Sequence, residues 1–145
     1  MLITREKMAG MIPHAGAMQL LDGVLSWDAA RIRCVSRSHR DQCNPMRCGG
    51  ELPVLCGIEY AAQAMALHGS LNGDVGAKPR AGYLASVRDV RCCRVRLDDI
   101  EGDLIVEAEK LMGEDSHVIY AFEVRAGETC VLAGRAAVVL DVERA

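Results

Sequence analysis

Aromatic side chains are nearly missing from this chain. One Trp, one Phe and three Tyr stand among 145 residues. A platform on which successive bases stack needs more than that, which argues against single-strand nucleic-acid binding. The core must instead be built from Leu, Val, Ile, Ala and Met. Positive charge is also in short supply. The net charge is −3 and the sequence pI about 5.8, so the electrostatic footprint of general nucleic-acid binding is missing. No apolar run is long and charge-free enough to span a bilayer. The N-terminus, MLITREKMAG, has no signal-peptide hydrophobic region, and cytoplasmic residence is the expectation. No repeat, low-complexity tract or linker divides the chain, so residues 1–145 read as one domain.

Cysteine, by contrast, is plentiful. The seven cysteines are an odd number without zinc-site spacing: Cys43 and Cys48 are too far apart for a knuckle, and Cys92 and Cys93 are adjacent. No metal is expected, and free, partly buried thiols are. A nucleophilic Cys56 is the sharper alternative, but no base is visibly placed for it.

What is present is a run, GIEYAAQAMALHG, in which Glu59 is the only charge between Leu52 and Gly73. Ile58, Ala61, Ala62 and Met65 recur at the spacing of one helix face, and the opposite face is also mostly apolar. The helix should be buried nearly all round, ending near His68-Gly69. Glu59 and Gln63 stand one turn apart and project side by side. A carboxylate in such surroundings is costly unless paired or hydrogen-bonded. Desolvation raises the pKa of a carboxyl group toward the range useful for proton transfer. Glu59 is therefore the leading candidate for a reaction centre.

Around this helix the pattern is strand-like. A helical turn is expected over Thr4 to Met8, then an irregular lead-in from Ile12 to Met18. Strands are expected at Leu20 to Trp27 and Arg31 to Ser36, joined at Asp28-Ala29-Ala30. A polar loop covers His39 to Pro53, and a second loop runs from Asn72-Gly73 to Pro79. Four strands follow, roughly Ala81 to Arg96, Gly102 to Leu111, His117 to Arg125 and Thr129 to Val139. Their turns are marked by Asp98-Asp99, Gly113-Glu114-Asp115 and Ala126-Gly127-Glu128. Short connections favour antiparallel pairing. The fold class is α+β, one helix held against a curved antiparallel sheet.

Three stretches carry a resemblance. They are IPHAGAMQLLDGV (Ile12 to Val24), LPVLCGIEYAAQAMA (Leu52 to Ala66) and AGYLASVRDVRCCRVRLDDIEGD (Ala81 to Asp103). In order and spacing they resemble the hotdog-fold 3-hydroxyacyl-(acyl-carrier-protein) dehydratases (FabA/FabZ-like). The resemblance implies a hotdog dimer with its site in a tunnel at the interface. The helix carboxylate supplies the acid and a histidine from the partner subunit the base. Glu59 takes the carboxylate position and Gln63 that of the glutamine that follows. Val54, Leu55 and Gly57 fall where substrate would be contacted, with the Val54 amide where the family's glycine polarises the thioester carbonyl. Typical members place a His-Phe-Pro-Gly segment before the helix. Here the loop reads CNPMRCGGELP, shorter and without histidine, as in a divergent subgroup associated with fatty-acid or aryl-polyene-type acyl assembly.

His14, beside Pro13, is the candidate replacement base; its bland alternative is a ring N–H bond tying the lead-in to the sheet. His39, where the strand leads into the shortened loop, is expected in solvent, with a swing toward the site as the alternative. His68 is expected to act as a cation at the helix C-terminus, and His117 has no assigned role. Gln63 is either a substrate contact or a structural hydrogen-bond partner. Arg88, Arg94 and Arg96 share strand parity, so one face. That face would suit an acidic carrier protein with its phosphopantetheine arm, unless Asp89, Asp98 and Asp99 neutralise it. No cofactor is expected beyond the phosphopantetheine of carrier protein or CoA that bears the substrate. Three functions remain open: a 3-hydroxyacyl-thioester dehydratase, an acyl-thioester hydrolase on the same fold, and a non-catalytic subunit of a heterodimer or acyl-binding protein.

Overall fold

The computed structural model describes residues 2–12, 16–72, 82–114 and 117–140. His14, most of the expected second loop, and Asp115 lie outside the described residues. The chain begins with strand β1 (Ile3–Thr4), helix α1 (Arg5–Met8) and a 3-10 turn at Gly16–Met18. Strands β2 (Gly23–Trp27) and β3 (Arg31–Ser36) follow. Short 3-10 turns at Ser38–Arg40 and Val54–Cys56 then lead into helix α2 (Gly57–Leu71). Strands β4 (Gly82–Cys92), β5 (Leu104–Glu114), β6 (His117–Ala126) and β7 (Thr129–Leu140) complete the molecule. They form one antiparallel sheet in the order β1-β2-β3-β5-β6-β7-β4. One helix carried on a curved antiparallel sheet is the hotdog architecture.

Helix α2 packs on β3, β5 and β6. Tyr60, Ala61, Ala64, Met65 and Leu67 are buried against a sheet face carrying Ile32, Leu104, Val106, Phe122, Val124 and Leu132. Full burial of one such large side chain stabilises by about 1.5–3 kcal/mol. The helix sits close because its first residue has no side chain. A Cβ on Gly57 would fall 2.7 Å from Leu132 Cδ2 and 3.4 Å from Val124 Cγ2. Burial is uneven round the helix: Gly69 is exposed, and Ile58, Glu59, Ala62 and Ala66 are half-buried. The helix runs past Gly69 to Leu71, where the backbone and side-chain N–H groups of Asn72 donate to His68 O at 3.1 and 3.0 Å.

The turns follow their side chains. Asp28 Oδ1 accepts from the backbone of Ala30 and Arg31, both at 2.8 Å, which closes the β2–β3 corner and holds the Asp28 carboxyl below its usual range. Gly127, at φ +60°, opens the two-residue connection between Ala126 and Thr129. Gly113 lies within β5 and not in a turn. Its missing side chain leaves room for His117 O, which a Cβ would approach to 2.6 Å.

The expected strand over Ala81 to Arg96 ends at Cys92. Its pairing with β7 slips between Leu84 and Ser86 and again between Arg88 and Arg91, each time with one extra residue on β4. Asp89, at φ +54°, sits in the second slip. Each bulge reverses the side-chain alternation, so the parity argument for Arg88, Arg94 and Arg96 fails. Arg94 and Arg96 lie beyond the strand altogether.

Candidate active site

Glu59 stands in the first turn of α2, half-buried. The next residue, Tyr60, is fully buried and its hydroxyl sits between two groups from the preceding loop. Asn44 Nδ2 donates to it at 3.0 Å, and it lies 2.8 Å from Ser38 Oγ. The Ser38 hydroxyl proton is directed to Leu20 O at 2.7 Å, so Tyr60 donates to Ser38 Oγ. Burial raises the Tyr60 phenol above its ordinary pKa and keeps it a donor.

Gln63 is also fully buried, and both ends of its amide are engaged. Oε1 accepts from Leu20 N at 2.9 Å, and Nε2 donates to Met18 O at 2.6 Å. This is the structural role weighed for it above: Gln63 ties the lead-in to the helix rather than presenting an amide to a ligand. Arg5 grips the same segment from the other side, donating to Gln19 O at 2.7 Å, Gly16 O at 3.0 Å and Leu21 O at 3.1 Å. The segment that follows His14 in the chain is thus fastened to the helix that carries Glu59.

The residues before the helix divide. Val54 is buried, and its N–H donates to Val95 O at 2.9 Å, so the amide that the resemblance offers to a thioester carbonyl is already engaged. Gly57 is buried against Leu132 and Val124 and serves close packing. Leu55, by contrast, is 55% exposed beside the N-terminus of α2, where an apolar ligand can reach it. Cys56 is partly buried with Sγ 4.0 Å from Met46 O. Burial and then the charge of Glu59 push its thiol pKa up, opposite to what a nucleophile needs. Burial raises the Cys34 thiol further, to about 12. All seven cysteines are free, and no metal-ligating cluster occurs among the described residues.

Two histidines depart from expectation for one reason, burial. His39 is not in solvent: its ring is enclosed, Nε2 donates to Ile100 O at 3.0 Å, and Nδ1 has no partner among the described residues. His68 is not a helix-capping cation. Its Nε2–H donates to Asp28 O at 2.8 Å, which leaves Nδ1 to accept from the Tyr120 hydroxyl at 2.8 Å. Desolvation holds both rings below the ordinary histidine pKa, so they are neutral, and it raises the Tyr120 phenol to about 12. His117 is exposed at the start of β6.

The arginines also separate. Arg94 pairs with Asp99 at 2.9 Å. Arg96 pairs with Asp98 and, at 3.0 Å, with Glu51. The Asp98 carboxyl, held well below its usual range chiefly by Arg96, also accepts Leu52 N–H at 2.7 Å. These two arginines brace the approach to α2 and are neutralised by acids, as the alternative reading had it. Arg88 remains exposed, directly opposite Arg135 on β7, so two like charges share one face. A groove of about 510 Å³ on the sheet, lined by Trp27, Arg31, Glu107, Glu109 and Glu123 among others, contains no residue of α2.

Tyr60 and its partners were missed by sequence reasoning. Tyr60 adjoins Glu59 in a motif already singled out, but Ser38 and Asn44 are 22 and 16 residues away and carry no local pattern.

Comparison with known proteins bears on this arrangement. A search of curated proteins finds no match. Among solved structures the chain is similar to the dehydratase heterocomplex ApeI:P from Xenorhabdus doucetiae. That match has 22% identity and a TM-score of 0.83 and covers 93% of this chain and 91% of that one. It is similar to thioesterase HI1161 from Haemophilus influenzae, with 14% identity, a TM-score of 0.67, and 97% and 95% covered. It is similar also to a mutant of thioesterase PA1618 from Pseudomonas aeruginosa, with 11% identity, a TM-score of 0.61, and 81% and 79% covered. These establish the hotdog fold. The family model described as ApeP-like, ApeP dehydratase, matches residues 6–143, and with nearly the whole chain inside that match, this protein belongs to the ApeP-like dehydratase family, a family of lyases.

Proposed function

We propose that this dehydratase acts on 3-hydroxyacyl thioesters of fatty-acid or polyene-type assembly, carried on the phosphopantetheine of a carrier protein or CoA. The observation that carries this reading is the clamp at Gln63. It fastens Met18 and Leu20, on the lead-in that follows His14, to the helix turn bearing Glu59. In the reaction a base takes the α-proton, the electron pair forms the Cα–Cβ double bond, and the Cβ–O bond breaks. Glu59 protonates the departing hydroxyl, which leaves as water. His14, outside the described residues, is the candidate base, delivered across a subunit interface. With the Val54 amide engaged, the thioester carbonyl takes its donors from elsewhere, including the partner subunit.

Assembly with a second hotdog subunit is part of this reading. Edge strand β4 offers an outer ladder, stepped at its two bulges, and a similar protein occurs in a dehydratase heterocomplex. Arg88 with Arg135, in place of Arg94 and Arg96, is the face proposed for the acidic carrier protein.

The test incubates the chain, alone and with a hotdog dehydratase partner, with a 3-hydroxyacyl-pantetheine thioester. Conjugated enoyl absorbance is expected, and Glu59→Gln is expected to lose it by at least about a hundredfold with the melting temperature unchanged. Full turnover by Glu59→Gln would remove Glu59 from the chemistry. Release of free thiol without enoyl product would replace dehydration by hydrolysis.

A further inference from the structure

We infer that Tyr60 is a positioning residue for Glu59, acting through a closed ring of hydrogen bonds that begins and ends on the first turns of α2. The inference rests on the reading of Glu59 as the acid. From Tyr60 the ring runs through Ser38 Oγ at 2.8 Å to Leu20 O at 2.7 Å. It returns from Leu20 N to Gln63 Oε1 at 2.9 Å. Tyr60 and Gln63 are three apart, one turn of the helix, and both hold the same residue, one by its carbonyl and the other by its N–H. A single tether would let the helix slide or roll. Two tethers one turn apart, on the two successive peptide units that flank the Leu20 Cα, fix both its rotation and its height against the lead-in. Glu59 lies at the N-terminal end of the turn so bracketed, and its carboxyl inherits that setting.

The ring is buried at all its members but Ser38, which is half-buried. Tyr60, Gln63 and Leu20 are each 0% exposed. Asn44 Nδ2 supports the phenol at 3.0 Å and also donates to Ser38 O at 2.9 Å. The loop without histidine thus contributes a brace where the resembling family carries its base. None of these atoms is free to touch substrate: the Tyr60 hydroxyl has one donor and one acceptor already, and Gln63 has spent both ends. Their contribution to turnover therefore passes through the placement of Glu59.

Tyr60→Phe deletes the hydroxyl alone. In the active assembly it is expected to lower kcat about 10- to 100-fold while KM stays within about twofold, because a misplaced acid weakens the transition state and not substrate binding. Hydrogen exchange of the Leu20 amide is expected to quicken, with the β5–β6 amides unaffected. Ser38→Ala breaks the same ring at another link and is expected to reproduce the kcat loss, and the double variant to be no worse than either single one. Unchanged kcat in both variants, even with a lowered melting temperature, would make Tyr60 merely structural and overturn the inference. So would additive losses in the double variant or unchanged exchange at Leu20. A wild-type assembly that does not dehydrate the thioester would instead refute the reading of Glu59, and this inference with it.

Discussion

Replacing Gln63 by Met tests the clamp most directly. Met keeps the length and unbranched shape of the side chain and removes both polar ends. Leu20 is 0% exposed, so its N–H, which now donates to Gln63 at 2.9 Å, would be left buried without an acceptor. An orphaned buried donor costs about 1–3 kcal/mol. Met18 is 41% exposed, and its carbonyl can turn to water, so the second lost bond adds little. The extra apolar burial of Met offsets a fraction of the loss. A net destabilisation of about 1–3 kcal/mol translates to a fall in melting temperature on the order of 3–10 °C for a chain of this size. Circular dichroism at about pH 7.5 would follow it, with urea titration giving the free energy. A melting temperature lowered by less than about 1 °C would show that the Gln63 amide does not hold the lead-in, and the structural basis for linking residues 16–20 to Glu59 would fall with it.

Two further expectations concern the core. His39 and His68 both have folded pKa values depressed by burial from 6.5, so the unfolded chain takes up protons first as pH falls. Their contribution is complete above about pH 6.5 and is lost as the pH drops through the folded values. The melting temperature should therefore fall between about pH 7 and pH 5, with a shallower slope in His68→Gln; a flat profile, or the same slope in the variant, would contradict the neutral, bridged rings. Gly57→Val places a branched side chain where Leu132 Cδ2 already stands 2.7 Å from a Cβ. A loss of about 1–3 kcal/mol in urea is expected, and an unchanged midpoint would mean that the helix does not approach the sheet as closely as described.

Helix α2 and the meander from β5 to β7 were legible because they are locally coded. Apolar spacing placed the helix, and Asp28 and Gly127 marked the turns around the strands. Glu59 was legible as the one charge in an apolar run. The errors arose where a single extra residue or a distant partner decided the outcome. The bulges of β4 and its end at Cys92 separated three arginines that simple alternation grouped together. His39 read as exposed because it sits in a polar loop, yet Ile100, 61 residues on, supplies its carbonyl. His68 read as a cap because it lies near the helix end, yet Asp28 and Tyr120 enclose it. The amide of Val54 read as available because nothing in the sequence announces its bridge to Val95.

The offset at Asp89 has a bearing on whatever lies alongside β4. Its backbone is turned out of line there, and with the earlier slip at Leu84–Ser86 the outer rim presents three short stretches of regular spacing and not one ruler. A neighbouring chain must stop at that step or bring a matching one of its own. Strands of ordinary regularity, including those of unrelated proteins met by chance, are thereby kept from zipping along the full rim.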